Sequence, residues 1–364
     1  MKIAVLCNLT NRRVKFFLEA AQKLGFPPPI LIEYEKVLNN INIINDALYK
    51  CDVLRIESYG EWWETEKRLI LLGTSEEEKS QLNLEDEFSN TRIQKAAYKG
   101  LEILMKNIEE ILKKHPQCRC PQSPSAILMM NDKVKTHICL KNNDIRVPQA
   151  FYEINDVETM LNIMNEQNWT QVFIKPRHGS SACGVVAFRR NQNQWIAYSS
   201  LKKINGNFYN VLQVNKTQDK NMICEMLKYV FEMGVIVEQW IPKLTFQKQI
   251  TDLRVVAYKN ESCQTVLRCA KHAITNLHLG NQRGDLEAFR TFIGMENWVE
   301  TMMTAQKVVQ AIPGACYAGV DLAWDSSKRK LYVLEANAFG DLLPNVLHHG
   351  FNTYETYLQK LNLT

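Results

Sequence analysis

The spacing of hydrophobic residues along the first third of the chain predicts alternating strands and helices. Residues 2–7 form an apolar run typical of a buried strand, and apolar residues recur at helical spacing over 14–24, before a glycine stop signal. Residues 52–56 predict another strand, and residues 91–115 predict a long amphipathic helix. This alternation indicates a small Rossmann-like α/β domain. No G-x-G-x-x-G pattern is present, so no dinucleotide site is predicted.

Beyond residue 115 the dominant pattern is period-two alternation, which is typical of β-strands. The segment 115–125 contains three prolines and breaks the helical pattern, so it is a candidate domain boundary. Two hairpins with polar turns are predicted, at 252–270 and 318–337. The pattern also predicts a helix followed by an extended segment over residues 131–151, a strand at 172–175, a helix at 217–233 and a strand at 235–240. Strands packed with helices in this order indicate an α+β layout.

Length and composition are those of a globular chain with several domains. At 364 residues the chain exceeds one domain of about 100–200 residues, and we expect domains at 1–118, 119–235 and 236–364. The content of 46% hydrophobic and 23% charged residues is ordinary for a globular protein. The net charge of +5 is mild and unclustered, which favours an anionic small molecule or an acidic partner over nucleic acid.

No feature of the sequence predicts contact with a membrane. Apolar runs are shorter than the about 20 residues that a membrane helix needs, and the apolar segment at the start is too short for a signal peptide. The ten cysteines show no repeated spacing, so we expect reduced thiols in a cytoplasmic protein rather than a zinc site. A homodimer is the ordinary expectation for the oligomeric state.

Polar residues end an apolar strand near the C-terminus, in the stretch YVLEANAFGDLLPN at 332–345. Because alternate residues of a strand share a face, Glu335 and Asn337 are expected to project together, beside Val333. The predicted hairpin brings Asp321 alongside them. Two carboxylates and an amide oxygen are donors that Mg²⁺ prefers. Backbone amides or a nearby lysine are the alternative partners, because burying such groups unpaired costs roughly 2–7 kcal/mol.

A lysine followed by small residues provides a second candidate for phosphate chemistry. Lys175 ends a predicted strand and precedes the loop RHGSSACG. Small residues let backbone N–H groups approach phosphate oxygens, and a lysine supplies a point charge. The order of residues is not that of a Walker motif.

Taken in order, the motifs NDK, VFIKP, GSSACGV, VIVEQWI, DLRV, GVD and VLEAN resemble those of the ATP-grasp superfamily. They are most similar to the motifs of ribosomal-protein glutamate ligases and glutathione-synthetase-like carboxylate–amine ligases, and they cover roughly residues 120–350. The resemblance implies an ATP-grasp fold, mixing α/β and α+β parts, preceded by a Rossmann-like pre-grasp domain.

The resemblance implies nucleotide-binding roles for residues spread over both later domains. It makes Lys133 and Lys175 the two lysines that reach the phosphates, and Asp252 a carboxylate on the ribose side. The loop 179–184 covers the phosphates, and the hinge 238–241 reads the adenine. The residues implied at the nucleotide are Lys133, Lys175, Gly179, Ser180, Ser181, Gly184, Glu238, Gln239, Trp240, Ile241, Asp252, Arg254 and Lys271.

The resemblance also implies the catalytic and metal-binding residues. Arg268, Lys175 and Asn276 are the implied catalytic residues. The implied metal ligands are Asp321, Glu335 and Asn337, which would bind two Mg²⁺ ions, with Mn²⁺ as an alternative metal. After this asparagine, Gly340 and Asp341 depart from the pattern of the family and could shape an unusual acceptor pocket.

The implied activity is ATP-dependent amide formation from a small-molecule or peptide carboxylate and an amine acceptor, through an acyl-phosphate. Because a carboxylate that attacks a γ-phosphate brings anions together, fixed cations are needed there. Two alternatives remain open at this level: a kinase-like phosphotransferase acting on a small molecule, and a non-catalytic nucleotide-binding module.

A few further polar residues are candidates for the acceptor side. Arg55 and Glu57 lie at the end of the predicted strand 52–56, where sheets of this type bind substrates. Arg283 could hold a substrate carboxylate, with a solvated turn as the rival interpretation. His348 and His349 could line the acceptor side, and a helix end explains them equally well.

Overall fold

The computed structural model describes residues 1–60, 62–80, 84, 92–179, 182–191, 194–340 and 343–361. Among these residues, no helix combines the length and the apolarity that a membrane crossing requires.

The first module is a three-stranded parallel sheet with the strand order β2-β1-β3. Its strands are β1 (Ile3–Cys7), β2 (Ile30–Glu33) and β3 (Val53–Ile56). Its helices are α1 (Arg12–Lys23), α2 (Tyr34–Asn39), α3 (Asn42–Leu48), α4 (Trp63–Gly73), α5 (Glu76–Lys79) and α6 (Arg92–Lys113). Every residue of β1 is buried, as its apolar run predicted. The predicted strands at 2–7 and 52–56 and the helices at 14–24 and 91–115 are confirmed, and the Rossmann-like assignment stays a prediction.

Helices α4 and α6 approach so closely that glycine is required at their contact. A Cβ on Gly100 would lie 1.9 Å from the Leu69 carbonyl oxygen, and one on Gly73 would lie 2.0 Å from the Ala96 carbonyl oxygen. Because real Cβ atoms do not come so near to backbone atoms, these two positions fix the spacing of the helices.

The second module centres on a six-stranded sheet with the order β4-β9-β5-β6-β7-β8. Its strands pair in antiparallel fashion. Its elements are α7 (Pro124–Met130), α8 (Lys133–Asn142), β4 (Ala150–Tyr152), α9 (Val157–Glu166), β5 (Gln171–Pro176), β6 (Val186–Arg190), β7 (Trp195–Ile204), β8 (Asn207–Thr217), α10 (Lys220–Phe231) and β9 (Val235–Gln239). The domain boundary expected between residues 235 and 236 falls inside β9, and the division into three domains stays a prediction.

The third module contains the two predicted hairpins in one antiparallel sheet, ordered β13-β12-β11-β14-β15, with β10 paired to β11. Its elements are β10 (Thr245–Phe246), β11 (Gln249–Tyr258), β12 (Ser262–Ala270), a 3₁₀ turn (Leu277–Leu279), β13 (Gln282–Arg283), α11 (Leu286–Ile293), α12 (Met295–Ala311), β14 (Tyr317–Trp324), β15 (Leu331–Asn337) and α13 (Thr353–Leu361). All eight residues of β14 are buried, so this strand lies inside the module.

Two hydrophobic clusters join the first and third modules. One contains Leu6 and Leu101 of the first module together with Leu322 and Val333 of the third. The other packs Phe17 of α1 against tyrosines of α13, with ring centroids 5.8 Å apart for Tyr354. The sheet of the second module has a separate core with α9 and α10, whereas α7 and α8 pack into the first of these two clusters. Polar residues at the facing edges of the modules form the candidate site.

Candidate active site

Four neighbouring strands of the third module place their polar residues side by side. Asp252 on β11 is paired in register with Arg268 on β12, and Arg254 is paired with Asp321 on β14. Asp321 in turn lies opposite Glu335 on β15, and Asn337 lies opposite Gly319. Residues directly opposite each other in an antiparallel pair have Cβ atoms about 4.5–5.5 Å apart. The three metal ligands implied by the resemblance are therefore brought together on adjacent strands.

A β-bulge in β15 sets the direction of the acidic residues. Leu322 pairs with Val333 but Asp321 pairs with Glu335, so Leu334 is an additional residue between the two pairs. Val333 and Ala336 both pack into the hydrophobic core. The expectation that Glu335 shares a face with Val333 is therefore wrong. The bulge shifts the alternation by one residue, because otherwise the carboxylate would point into the core.

Two arginines hold the Asp321 carboxylate. The Arg254 guanidinium donates from Nε to Oδ1 and from Nη2 to Oδ2, the latter at 3.1 Å. Arg268 Nη2 lies 3.1 Å from the same Oδ2. A carboxylate offers about four lone-pair positions, so these three contacts from described residues leave one for a further partner.

Asp321, Glu335 and Asn337 together form what we call the acidic edge. Two lysines of the second module approach it. Lys133 Nζ lies 3.3 Å from Glu335 Oε1 and donates to the Gly179 carbonyl oxygen at 2.7 Å. Lys175 Nζ lies 2.6 Å from Glu238 Oε2 and donates to the carbonyl of the bulge residue, Leu334, at 3.3 Å. The lysines thus connect the glycine loop and the hinge to β15.

The cations keep the site charged despite its burial. Burial alone would raise the pKa of Glu335, but the charges of Lys133, Lys175 and Arg254 outweigh it and lower that pKa. Burial would likewise lower the pKa of Lys175, and Glu238 outweighs it and raises the pKa. Both side chains are therefore ionised at neutral pH, as metal and phosphate ligands must be.

Local capping places Lys133 at the site. The Asp132 side chain accepts bonds from the Val134 and Lys135 amides, each at 3.1 Å, and so begins α8 directly at Lys133. Arg177 Nη2 holds the Asp132 carboxylate at 2.8 Å. The Lys133 amide donates to the Arg177 carbonyl at 3.0 Å, so the helix start is fixed against the segment that follows Lys175. Sequence analysis missed this pair, because 45 residues separate its members.

Asp252 lies deeper than its predicted nucleotide role suggests. Its carboxylate is 2% exposed and accepts bonds from Arg268 Nε at 2.7 Å, from Lys243 Nζ at 2.8 Å and from Thr275 Oγ1. Burial would raise the pKa of Asp252, but Arg268 and Lys243 outweigh it and lower that pKa. Burial lowers the pKa of Lys243. Sequence analysis assigned no role to Lys243 or to Thr275.

The hinge residues 238–241 span the end of β9, and the described residues of the glycine loop 179–184 lie between β5 and β6. Glu238 and Ile241 are buried and Gln239 and Trp240 half-buried. The Trp240 ring packs edge-on against Phe173, with centroids 5.1 Å apart. Gly184 lies against Pro176 and Met233, where a Cβ would come within 2.8 Å of Pro176 Cγ. Ser180, Ser181 and Asp341 lie outside the described residues.

Other predicted residues are less closely connected to this cluster. The Lys271 side chain is exposed, and the Asn276 carbonyl accepts a bond from Asn281 Nδ2 at 2.8 Å. Arg283 Nη1 donates to the Pro344 carbonyl at 2.8 Å. Arg55 and Glu57 form a buried ion pair, 2.8 Å between Nη2 and Oε2, surrounded by aromatic rings of α1, β14 and α13. The last pair therefore belongs to the contact between the first and third modules.

The donor set at the acidic edge fits a hard divalent cation. Among its contacts with described residues, Asp321 retains one lone-pair position, and Glu335 is ionised with its side chain 32% exposed. The Asn337 amide donates from Nδ2 to the Gly319 carbonyl at 3.0 Å, which leaves its oxygen as an acceptor. Oxygen donors of this kind suit Mg²⁺ and Mn²⁺.

The fold is similar to those of solved ATP-grasp enzymes at low sequence identity. D-cycloserine synthetase DcsG aligns with a TM-score of 0.58 and 10% identity over 99% of both chains. The ATP-grasp ligase PsnB complexed with its minimal precursor aligns with a TM-score of 0.56 and 11% identity over 99% of this chain and 98% of that chain. The D-alanine–D-alanine ligase from Bacillus anthracis complexed with ATP aligns with a TM-score of 0.54 and 14% identity over 100% of this chain and 97% of that chain.

The sequence itself matches one family model. No curated protein sequence matches the chain. The model of the YheC/D-like ATP-grasp family matches residues 129–340, more than half of the chain, and this range includes every strand that contributes to the site. The ATP-grasp fold expected from the sequence is thereby confirmed, and the chain belongs to the YheC/D-like ATP-grasp family.

Proposed function

We propose that the chain is an ADP-forming carboxylate–amine ligase, which activates a carboxylate with ATP and joins it to an amine. The observation that carries the proposal is the in-register pairing of Asp321 with Glu335, with lysines of the second module within reach of Glu335 and Glu238. Transfer of a phosphoryl group requires acidic oxygens and fixed cations, and both lie here where two sheets meet.

The cations of the chain stabilise the charge that develops during this reaction. Lys133 and Lys175 bind the phosphates, and Arg268 faces the position where the acyl-phosphate forms. Arg268 is held in place by bonds to Asp252 and Asp321, so it needs no reorganisation when charge accumulates. Lys243 and Thr275 support this arrangement through Asp252.

Asp321, Glu335 and Asn337 would hold two Mg²⁺ ions, with Mn²⁺ as an alternative. When bound, the metal neutralises phosphate charge and polarises the transferring group. The two arginines on Asp321 hold that carboxylate in its orientation before metal arrives.

The adenine lies along the hinge, and the triphosphate extends from it towards Glu335. A cavity lined by Lys133, Glu238 and Leu334 connects these two places, and its wall of Met130, Leu140 and Val147 is apolar. Ser180, Ser181 and Lys271 complete the predicted nucleotide site, and Asn276 its catalytic set. Asp252 acts on the ribose side through the residues that it holds.

The acid and the amine are peptides, amino acids or small metabolites. A structure of PsnB contains a precursor peptide and AMPPNP, and DcsG is named as a D-cycloserine synthetase. Proteins with this fold thus act on peptides and on small molecules, and we expect the chain to act on one of these two classes. Its proposed location is the cytoplasm.

Product masses distinguish this activity from its closest rival. Protein is incubated with ATP, Mg²⁺ and pooled acids and amines, and the mixture is analysed by mass spectrometry. We expect ADP, phosphate and a product with the mass of one acid plus one amine less water. A product that instead gains a phosphoryl group would establish a kinase-like phosphotransferase and contradict the ligase assignment.

A further inference from the structure

A second group of side chains of metal-ligating types lies outside the proposed ATP site. Glu261, in the turn between β11 and β12, faces His348 and His349 of the segment before α13. One ligand atom from each of the three side chains lies within 4.8 Å of the others. The His348 and His349 rings are 4.1 Å apart, and His348 Nε2 lies 2.8 Å from Glu261 Oε1.

Two hydrogen-bonded turns hold these side chains in place. His348 and Phe351 exchange backbone bonds of 2.9 and 3.0 Å across a turn whose central residues, His349 and Gly350, have φ of 51° and 83°. Positive φ at both central positions is typical of a tight type I′ turn. On the opposite side, the Tyr258 amide donates to the Glu261 carbonyl at 2.7 Å. The backbone at each donor is therefore fixed before any ligand binds.

The donor types indicate which cation would bind. Two imidazoles and one carboxylate suit Zn²⁺ and related transition metals, whereas Mg²⁺ prefers oxygen donors alone. Three protein ligands leave a coordination position for water. Lys360 forms an ion pair with the other Glu261 oxygen and therefore competes with a cation for this carboxylate.

We infer that Glu261, His348 and His349 bind one divalent transition-metal ion, with Zn²⁺ as the reference case, and that the ion fastens the turn 348–351 to the hairpin 249–270. The site is independent of the proposed ligase activity, because it shares no residue with the ATP-binding cluster. A variant that lacks one of the two sites can therefore still be tested for the other.

Calorimetric titration of Zn²⁺ tests the inference, using chelator-treated protein without a histidine tag. We expect one equivalent to bind wild type and to raise its melting temperature. His348→Ala and Glu261→Gln should each weaken binding by about tenfold or more, since each removes a ligand. Lys360→Met should bind at least as tightly as wild type, because the competing ammonium is gone. His272→Ala, at another half-buried histidine, is the matched control and should bind like wild type.

Several results would overturn the inference. If the wild-type protein binds no equivalent of Zn²⁺, this site is excluded. It is also excluded if His348→Ala and Glu261→Gln both bind Zn²⁺ with the affinity of wild type. Loss of Zn²⁺ binding in Glu335→Gln would place the ion at the acidic edge instead. The His348 and Glu261 side chains are 23% and 40% exposed, so both variants leave the core intact, and melting without Zn²⁺ checks this.

Discussion

The charges of single residues decide the properties of the acidic edge. Glu335 is ionised because three cations surround it, and Asp321 is oriented because two arginines hold it. Each of these charges has its partner on another strand or in another module. Substitution of one residue therefore changes the chemistry of the edge more than it changes the core.

Glu335→Gln should abolish turnover with little effect on folding. The amide keeps the shape of the side chain but removes the charge that binds metal, and we expect ADP release to fall by at least about a hundredfold. Asp321→Asn should behave similarly. The control is Glu225→Gln, which also removes a carboxylate paired with one lysine, but on α10. Rates near wild type in both site variants would mean that the metal binds elsewhere.

Lys175→Ala should mainly weaken ATP binding. The lysine contributes a charge-assisted bond to phosphate, and because such bonds contribute about 1.5–3 kcal/mol, the dissociation constant should rise about tenfold or more. Titration with ATP measures this, and Lys216→Ala, at an exposed lysine of β8, is the control. Unchanged affinity would contradict the assigned role. The melting temperature must be measured as well, since the variant leaves the buried Glu238 without its cation.

Asp252→Asn should destabilise the protein by about 3–5 kcal/mol, because it leaves Lys243 buried without a counter-charge and removes one of the two carboxylates that hold Arg268. Urea unfolding measures the effect. Asp46→Asn, at an exposed aspartate of α3, should change stability by less than about 0.5 kcal/mol. Equal stability of the two variants would show that the buried network contributes little to the fold.

The same carboxylate predicts how stability depends on pH. The folded-state pKa of Asp252 lies below the value of an unfolded aspartate, so its contribution is fully present above about pH 4 and is lost as the pH falls through the folded value. The free energy of unfolding should therefore decrease as the pH is lowered below about 4. Asp252→Asn should show a shallower decrease over that range. Identical slopes would contradict the assignment.

The residues of the site differ in how far the sequence could predict them. Asp321, Glu335 and Asn337 stand out because polar residues interrupt apolar strands there. No sequence pattern connects Lys243 and Thr275 to Asp252, or Arg177 to Asp132, and only tertiary contact brings them together. Site residues were therefore predictable where they interrupt an alternating apolar pattern. They were not predictable where their role depends on contacts between distant segments.

At the level of elements, strand pairing places the site and helix packing supports it. Both predicted hairpins are present, because period-two alternation and polar turns are local signals. The bulge at Leu334 was not predictable, since it follows from the need to bury Val333 and Ala336 on one side while Glu335 faces the other. Strand β2 and helices α2, α3 and α5 were missed as well, because elements of four to seven residues have little periodicity. The longer helices α4 and α12 were also not predicted.

Gly100→Ala tests the close packing of α4 and α6. An added Cβ would overlap the Leu69 carbonyl, so the helices must separate, and we expect a loss of about 1–3 kcal/mol or more. Gly60→Ala is the matched control, because the nearest atom to its Cβ would lie at an ordinary 3.7 Å. Thermal melts of both variants measure the difference. Equal melting temperatures would show that the helix contact tolerates expansion.

At the level of the whole molecule, the site depends on the meeting of separately built sheets. The sheet with Lys175 has its own core, and the sheet with Glu335 shares a core with the first module. Family motifs predicted the ATP-grasp fold, because their order along the chain is specific even though each single motif is only a loose match. They did not predict how the first module joins the third, since aromatic and apolar packing around Arg55 and Phe17 follows no motif.

The most direct test of the account is an anomalous diffraction map from crystals grown with ADP and Mn²⁺. The account predicts a strong peak bonded to the Asp321 and Glu335 carboxylates at about 2.0–2.6 Å, the range for hard divalent cations and oxygen, next to the ADP phosphates. A map without a peak there, in which Arg254 and Arg268 still enclose Asp321 and ADP lies elsewhere, would contradict it.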